Sequence, residues 1–223
     1  MSNRIQGFGL DSNESDSAAP SPVVDVGFQV ASHDAWIDPR PQSRYHPDFR
    51  NAIHERESMP TKNRRSGYGA FNLAGAWGRY QMTKGALQDV RMMNDNGKWS
   101  GLYGIRTDED FLNNPEIQEQ VFEEYADKLL RAMESSAVRH RLDKEIQGIK
   151  ASFPVTKAGI IAASHRRGAQ GVRDYFSYLE ERNWKSDVDT IQDPDRRQKF
   201  LDIETRLREF SGVPLLWKQS GPN

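Results

Sequence analysis

The sequence predicts a mainly α-helical domain with one small β-hairpin, and three observations carry that reading. Apolar residues recur at helical spacing through most of the chain after Thr83. Helix start and stop signals frame those stretches. A single segment, Gly67 to Met82, breaks the pattern with four glycines and alternating side chains. With 223 residues and 36% hydrophobic content the chain can bury one substantial core. One domain is expected over 45–223, preceded by a mostly flexible tail over 1–44 that is rich in Ser, Asp, Pro and Gly. Within the tail only "VVDVGFQV", Val23 to Val30, offers a strand or a docking segment.

The domain opens with "HPDFRNAIHERES", where proline stands just inside a helix start and Phe49 and Ile53 lie four apart, a short helix ending before Met59-Pro60. "GYGAFNLAGAWGRYQM" follows as a β-hairpin or irregular loop turning at Asn72 to Gly75. Thr83 caps a helix over "TKGALQDVRMMND" that "NDNG" stops, and Thr107 with Asp110 forms a capping box. The longest helix is expected from Asn114-Pro115 to about Met133, with Ile117, Val121, Tyr125 and Leu129 as its apolar stripe and the core built on it. "VTKAGIIAASHRRG" reads as a buried helix, "VRDYFSYLEER" and "DRRQKFLDIETRLREF" as amphipathic ones, and "FSGVPLLW" closes the domain.

Charge and composition narrow the function. Lys and Arg number 31 against 32 Asp and Glu, a net charge of -1, which gives no general attraction to nucleic acid or to an anionic membrane. There is no cysteine, so disulfides and thiolate metal sites are ruled out. His46, His54, His140 and His165 are scattered, without the i,i+4 pair beside a glutamate that a metalloprotease helix needs, so no metal and no cofactor is expected. Ser164 and His165 are helix neighbours pointing about 100° apart, which argues against a serine hydrolase. No stretch is long and apolar enough for a spanning helix, and the first residues lack the basic-then-apolar pattern of a secretory leader.

The first helix carries two glutamates near its end. Counting 100° per residue from Ile53, Glu57 falls about 40° away on the same face and Glu55 about 160° away on the opposite one. A carboxyl at the lip of an apolar core loses hydration, which favours its neutral form, the condition for a general acid. The alternative is that Glu57 pairs with a nearby arginine such as Arg64 or Arg65. Trp77, Tyr80, Tyr68 and Phe71 cluster in the glycine-rich stretch, where Tyr80 or Trp77 could stack on a sugar face and Phe71 fill the core. The pairs Arg64-Arg65, Arg166-Arg167 and Arg196-Arg197 read as solvated faces, though two of them could favour an anionic polymer.

The order "RES" at a helix end, then "YGAFN", then "GRYQMT" leading into a helix, and far downstream "AASHRRGAQGVRDY", resembles the lysozyme-like muramidases and lytic transglycosylases, including their phage-lysin and secreted-effector branches. The resemblance runs from about His46 to Tyr175. It implies a lysozyme-like fold with the hairpin at a cleft, Glu57 of the Glu57-Ser58 motif as catalytic acid, and "GRYQM" as the cleft wall facing it. Ser58, Tyr68, Asn72, Trp77, Tyr80, Gln81 and His165 are the implied substrate contacts, with His165 in the polar position of the downstream motif. Arg166-Arg167 departs from the smaller residues that relatives carry, and Asp89, Asp95, Asp108 and Asp110 sit where helix faces or caps explain them, so no second acid stands in a motif.

The expected activity is cleavage of the β-1,4 bond between N-acetylmuramic acid and N-acetylglucosamine, by hydrolysis or by 1,6-anhydro formation. The rivals are a chitinase- or chitosanase-like glycosidase and a non-catalytic lysozyme-shaped module that holds wall or a partner. Peptidoglycan strands are the expected partner, with no nucleic acid and no membrane insertion. Synthesis in the cytoplasm and action in the periplasm or wall would require export, injection or lysis, through a phage or secretion apparatus, and an effector would have an immunity protein.

Overall fold

The computed structural model describes residues 43–58, 66–134 and 139–217, and the backbone of Val23–Val24. Among these residues it is mainly helical with a small antiparallel sheet. Apart from Val23–Val24, the expected tail up to Gln42 lies outside the described residues, as do Arg64 and Arg65.

Helix α1, Pro47–Glu57, begins where the sequence puts it: Pro47 occupies the first turn and the His46 ring accepts the Asp48 N–H at 3.2 Å. Phe49 and Ile53 are fully buried. The glycine-rich stretch then makes three two-residue strands, β2 (Phe71–Asn72), β3 (Ala76–Trp77) and β4 (Met82–Thr83), in an antiparallel meander. β1, Val23–Val24, adds to its edge with Val24 opposite Phe71. The segment read as tail also reaches the core at its end, for Ser43 is buried and the Arg44 carbonyl accepts the Trp217 N–H at 3.4 Å.

Thr83 caps α2, Lys84–Asp89, which stops earlier than "NDNG". Arg91 turns left-handed at φ 62°, and the Met92 and Met93 N–H groups fold back onto the Leu87 carbonyl at 2.9 and 3.2 Å, which buries both methionines instead of continuing the helix. The Thr107–Asp110 capping box starts α3, Asp108–Leu112. α4, Pro115–Glu134, buries Val121, Tyr125 and Leu129 as expected. The longest helix is α5, Lys157–Glu180, because two stretches that read as separate helices join across a kink at Gly168, φ 74°. α6, Pro194–Glu209, is capped by Asp193.

The hydrophobic interior falls into two clusters. One gathers α1, α2, α4 and the start of α5; the other gathers the rest of α5, α6 and a hairpin of β5 (Glu145–Gln147) and β6 (Ser152–Pro154). α5 supplies fully buried residues to both clusters, and Met133 near the end of α4 packs against both from the side. The sequence predicts only helices here, and the hairpin's signal is present but brief: Ile146 and Phe153, cross-strand partners, are the buried residue of each three-residue strand. Among the described residues no helix is long and apolar enough to cross a membrane.

Candidate functional site

Glu57 lies one turn beyond Ile53 on the inward face of α1, its side chain 8% exposed, whereas Glu55 faces solvent. Its neighbour is an arginine from the far end of the chain. Arg206 of α6 donates from Nη2 to Glu57 Oε1 at 2.6 Å and toward the Arg56 carbonyl at 3.4 Å, and the Glu209 carboxylate stands 3.9 Å from Nη1. Among the described residues Glu57 Oε2 accepts no hydrogen bond. The signal for Arg206 was there to read: it follows Ile203 by three and precedes Phe210 by four, a charge in the inward register of an amphipathic helix.

Ser58 closes α1 with its hydroxyl against the His54 ring and donating to the His54 carbonyl at 3.1 Å. Gly67 packs over this pair so closely that a Cβ there would stand 2.5 Å from His54 Cε1. Ser58 is thus a buried cap, and the expectation of a substrate contact is corrected. The aromatic expectation changes too. Tyr80 is 1% exposed and stacked on Phe122 at 3.9 Å, and Trp77 is buried against Phe71 and Trp99, so both rings belong to the core. The turn responsible contains Gly78 at φ 72° and Gln81 at φ 46°, and it swings Tyr80 inward onto α4. Tyr68 is half-buried beneath the Arg79 guanidinium, 5.3 Å from its ring. Asn72 spends its side-chain oxygen on the Ala74 N–H at 2.8 Å, inside the expected turn.

Gln81 and His165 come together around Tyr80. The Gln81 amide nitrogen donates to the Gly78 carbonyl at 2.9 Å and toward that of Ala70 at 3.5 Å, leaving its buried Oε1 without a partner among the described residues. His165 on α5 reaches the Tyr80 carbonyl from Nε2 at 2.7 Å. A carbonyl only accepts, so Nε2 carries the proton and the buried Nδ1 is a bare acceptor. Phe122 and Tyr125 meet the ring edge-on at 6.0 and 5.8 Å. Burial holds the imidazole below its ordinary range, and the Glu57 carboxylate and the Tyr80 bond oppose that only in part. An unfolded His165 binds a proton below about pH 6.5 while the folded ring stays neutral, so folding loses stability as pH falls through that value. His165→Asn is expected to flatten this slope, measured as the difference in urea midpoint between acidic and neutral buffer.

Two adjacent residues of α4 bond the wall at several points, beside the Arg79 bond to Asn51 Oδ1 of α1 at 2.9 Å, and the sequence does not single them out. Glu119 is fully buried; its Oε1 accepts from the hydroxyls of Tyr68 at 2.8 Å and Tyr80 at 2.7 Å, and its Oε2 from Arg50 at 3.2 Å. Arg79 stands 3.7 Å away. Burial raises the Glu119 carboxyl above its usual value against the pull of those tyrosines and arginines, and it raises the Tyr68 and Tyr80 hydroxyls as well. Gln118 accepts the Arg79 N–H at 2.9 Å and donates to the carbonyls of Tyr68 and Phe111 at 3.0 and 2.8 Å. Both precede Phe122 at helical spacing, so the buried face of α4 is wider than the Ile117–Leu129 stripe alone. A Cβ on Gly78 would lie 2.1 Å from Gln118 Oε1, and φ is already positive. Gly78→Ala is expected to cost about 1–3 kcal/mol in chemical denaturation.

The remaining charges are internal or solvated. Arg167 pairs with Asp202 while Arg166 stays half-exposed, 3.7 Å from the same carboxylate; Arg196 covers the Phe200 ring at 5.2 Å and Arg197 reaches the Ile191 carbonyl at 3.1 Å. Among the described residues no cluster of His, Asp and Glu suits a metal. A surface concavity of about 380 Å³ beside Tyr103, Glu109 and Asn114 includes none of the expected site residues. Comparison of the chain with protein-family models, with curated proteins and with solved structures gives no match.

Proposed function

We propose that this chain is a lysozyme-like glycosidase of peptidoglycan, cleaving the β-1,4 bond between N-acetylmuramic acid and N-acetylglucosamine. The supporting observation is the meeting of three segments far apart in sequence: the end of α1 that carries Glu57, whose His54 ring lies 3.3 Å from the Arg79 carbonyl; the Arg79–Gln81 turn; and His165, whose Nε2 donates to the Tyr80 carbonyl at 2.7 Å. Glu57 protonates the glycosidic oxygen from Oε2, the oxygen Arg206 leaves open, so the leaving sugar departs as a neutral alcohol while oxocarbenium character develops across the bond. Gln81 is buried with its amide nitrogen engaged on the Gly78 and Ala70 carbonyls, so its part in this reading is to hold the turn of the wall. Capture of the cation by the substrate's own hydroxyl gives a 1,6-anhydro product; capture by water gives hydrolysis.

One observation favours a second reading. The Glu57–Arg206 ion pair is the kind of contact a purely structural carboxylate makes, and it suits a non-catalytic module that binds wall. Purified sacculi separate the two: the glycosidase releases soluble muropeptides, and Glu57→Gln does not. Co-sedimentation with sacculi without any release would select the binding module.

A further inference from the structure

We infer that Glu119 is a positioning residue of the candidate site, setting the distance between the Glu57 end of α1 and the wall that carries Gln81 and the Tyr80 carbonyl; this rests on the glycosidase reading. One carboxylate bonds both sides of the site. On one side Arg50 of α1 donates to Oε2, and Arg50 lies seven residues, two helical turns, before Glu57 on the same inward face. On the other side Tyr80 donates to both oxygens at 2.7 Å and Tyr68 to Oε1 at 2.8 Å.

The wall needs such a hub because it has little regular structure of its own. Between Ser66 and Gln81 only four residues are in strands, and Gly67, Gly75, Gly78 and Gln81 take positive φ. The meander's few ladder bonds leave its approach to α1 unset, so that approach is set by side chains. A buried carboxylate among cations is a poor source of stability, since desolvation consumes most of what the pairing returns and an apolar cluster of equal volume often does as well. What it supplies, and an apolar cluster does not, is direction: its two oxygens, as acceptors, fix the hydroxyls of Tyr68 and Tyr80 and the Arg50 guanidinium to one point. The Glu204 cluster in the second core is a natural comparison. There a carboxylate 2% exposed accepts the Tyr175 hydroxyl at 2.8 Å and the Ile149 N–H at 2.8 Å, and it contacts none of the site residues.

The test compares wild type, Glu119→Gln, Tyr80→Phe and Tyr175→Phe, all kept well below their melting temperatures. Tyr80→Phe retains the ring that stacks on Phe122 and removes only the hydroxyl. Two quantities are read: kcat and KM per folded molecule on solubilised peptidoglycan strands, and the Nε2–H resonance of His165 in histidine-labelled protein. Glu119→Gln and Tyr80→Phe are expected to lower kcat on the order of ten- to a hundredfold with KM little changed, and to shift or broaden the His165 signal, because a small misplacement of reacting groups costs that much. Tyr175→Phe is expected to lose thermal stability while keeping both. Near-normal kcat in Glu119→Gln and Tyr80→Phe overturns the inference, whether or not the His165 signal moves. If wild type leaves the strands intact the glycosidase reading fails separately, and an unmoved His165 signal in both variants then also shows that Glu119 does not fix the wall.

Discussion

Glu57→Gln is expected to lower muropeptide release by ~10²- to 10⁴-fold, the usual cost of removing a general acid, whereas Glu55→Gln should retain most of it. The two residues stand two apart on one helix and differ in what they face. Glu57 is on the side of Phe49 and Ile53, with Arg206 on one oxygen, and Glu55 is in water. The side-chain amide introduced by Glu57→Gln would still accept from Arg206 through its carbonyl oxygen, so the fold should tolerate the change and the loss would report chemistry. Initial rates of soluble muropeptide release, normalised to folded protein, check it. Equal losses in both variants would remove the distinction between the two faces of α1.

Glu119→Ala is expected to destabilise the protein by about 3–5 kcal/mol, the range for deleting one member of a buried charge network. The substitution takes the acceptor from Tyr68 and Tyr80 and the counter-charge from Arg50, which is 1% exposed. In a domain of this size that corresponds to a melting-temperature fall on the order of 10 °C. Urea unfolding gives the free energy directly. A change below about 1 kcal/mol would mean that water enters and satisfies those groups, and the carboxylate would then hold nothing in place.

Much of the helical frame was legible because it rests on local rules. Pro47, Thr83, the Thr107–Asp110 box and Pro115 each mark a helix start through a backbone N–H that needs an acceptor or a residue that lacks one. The inward placement of Glu57 followed from counting along one helix. What was not legible depends on partners far apart in sequence. Arg206 is legible as an inward charge on its own helix, but nothing pairs it with Glu57, 149 residues earlier, and the aromatic-rich stretch gives no sign that Tyr80 turns inward until Glu119 on α4 is known to receive its hydroxyl. The β5–β6 hairpin was missed because three-residue strands are shorter than the window in which alternation is distinguished from helical spacing.

Whether Glu57 acts on a glycosidic bond of peptidoglycan is decided by mass spectrometry of the material released from purified sacculi. Wild type is expected to release soluble fragments that end in a muramyl sugar, as a reducing end or a 1,6-anhydro form, and Glu57→Gln is expected to release none. Intact sacculi, fragments severed only in their peptides, or equal release by Glu57→Gln would contradict that role.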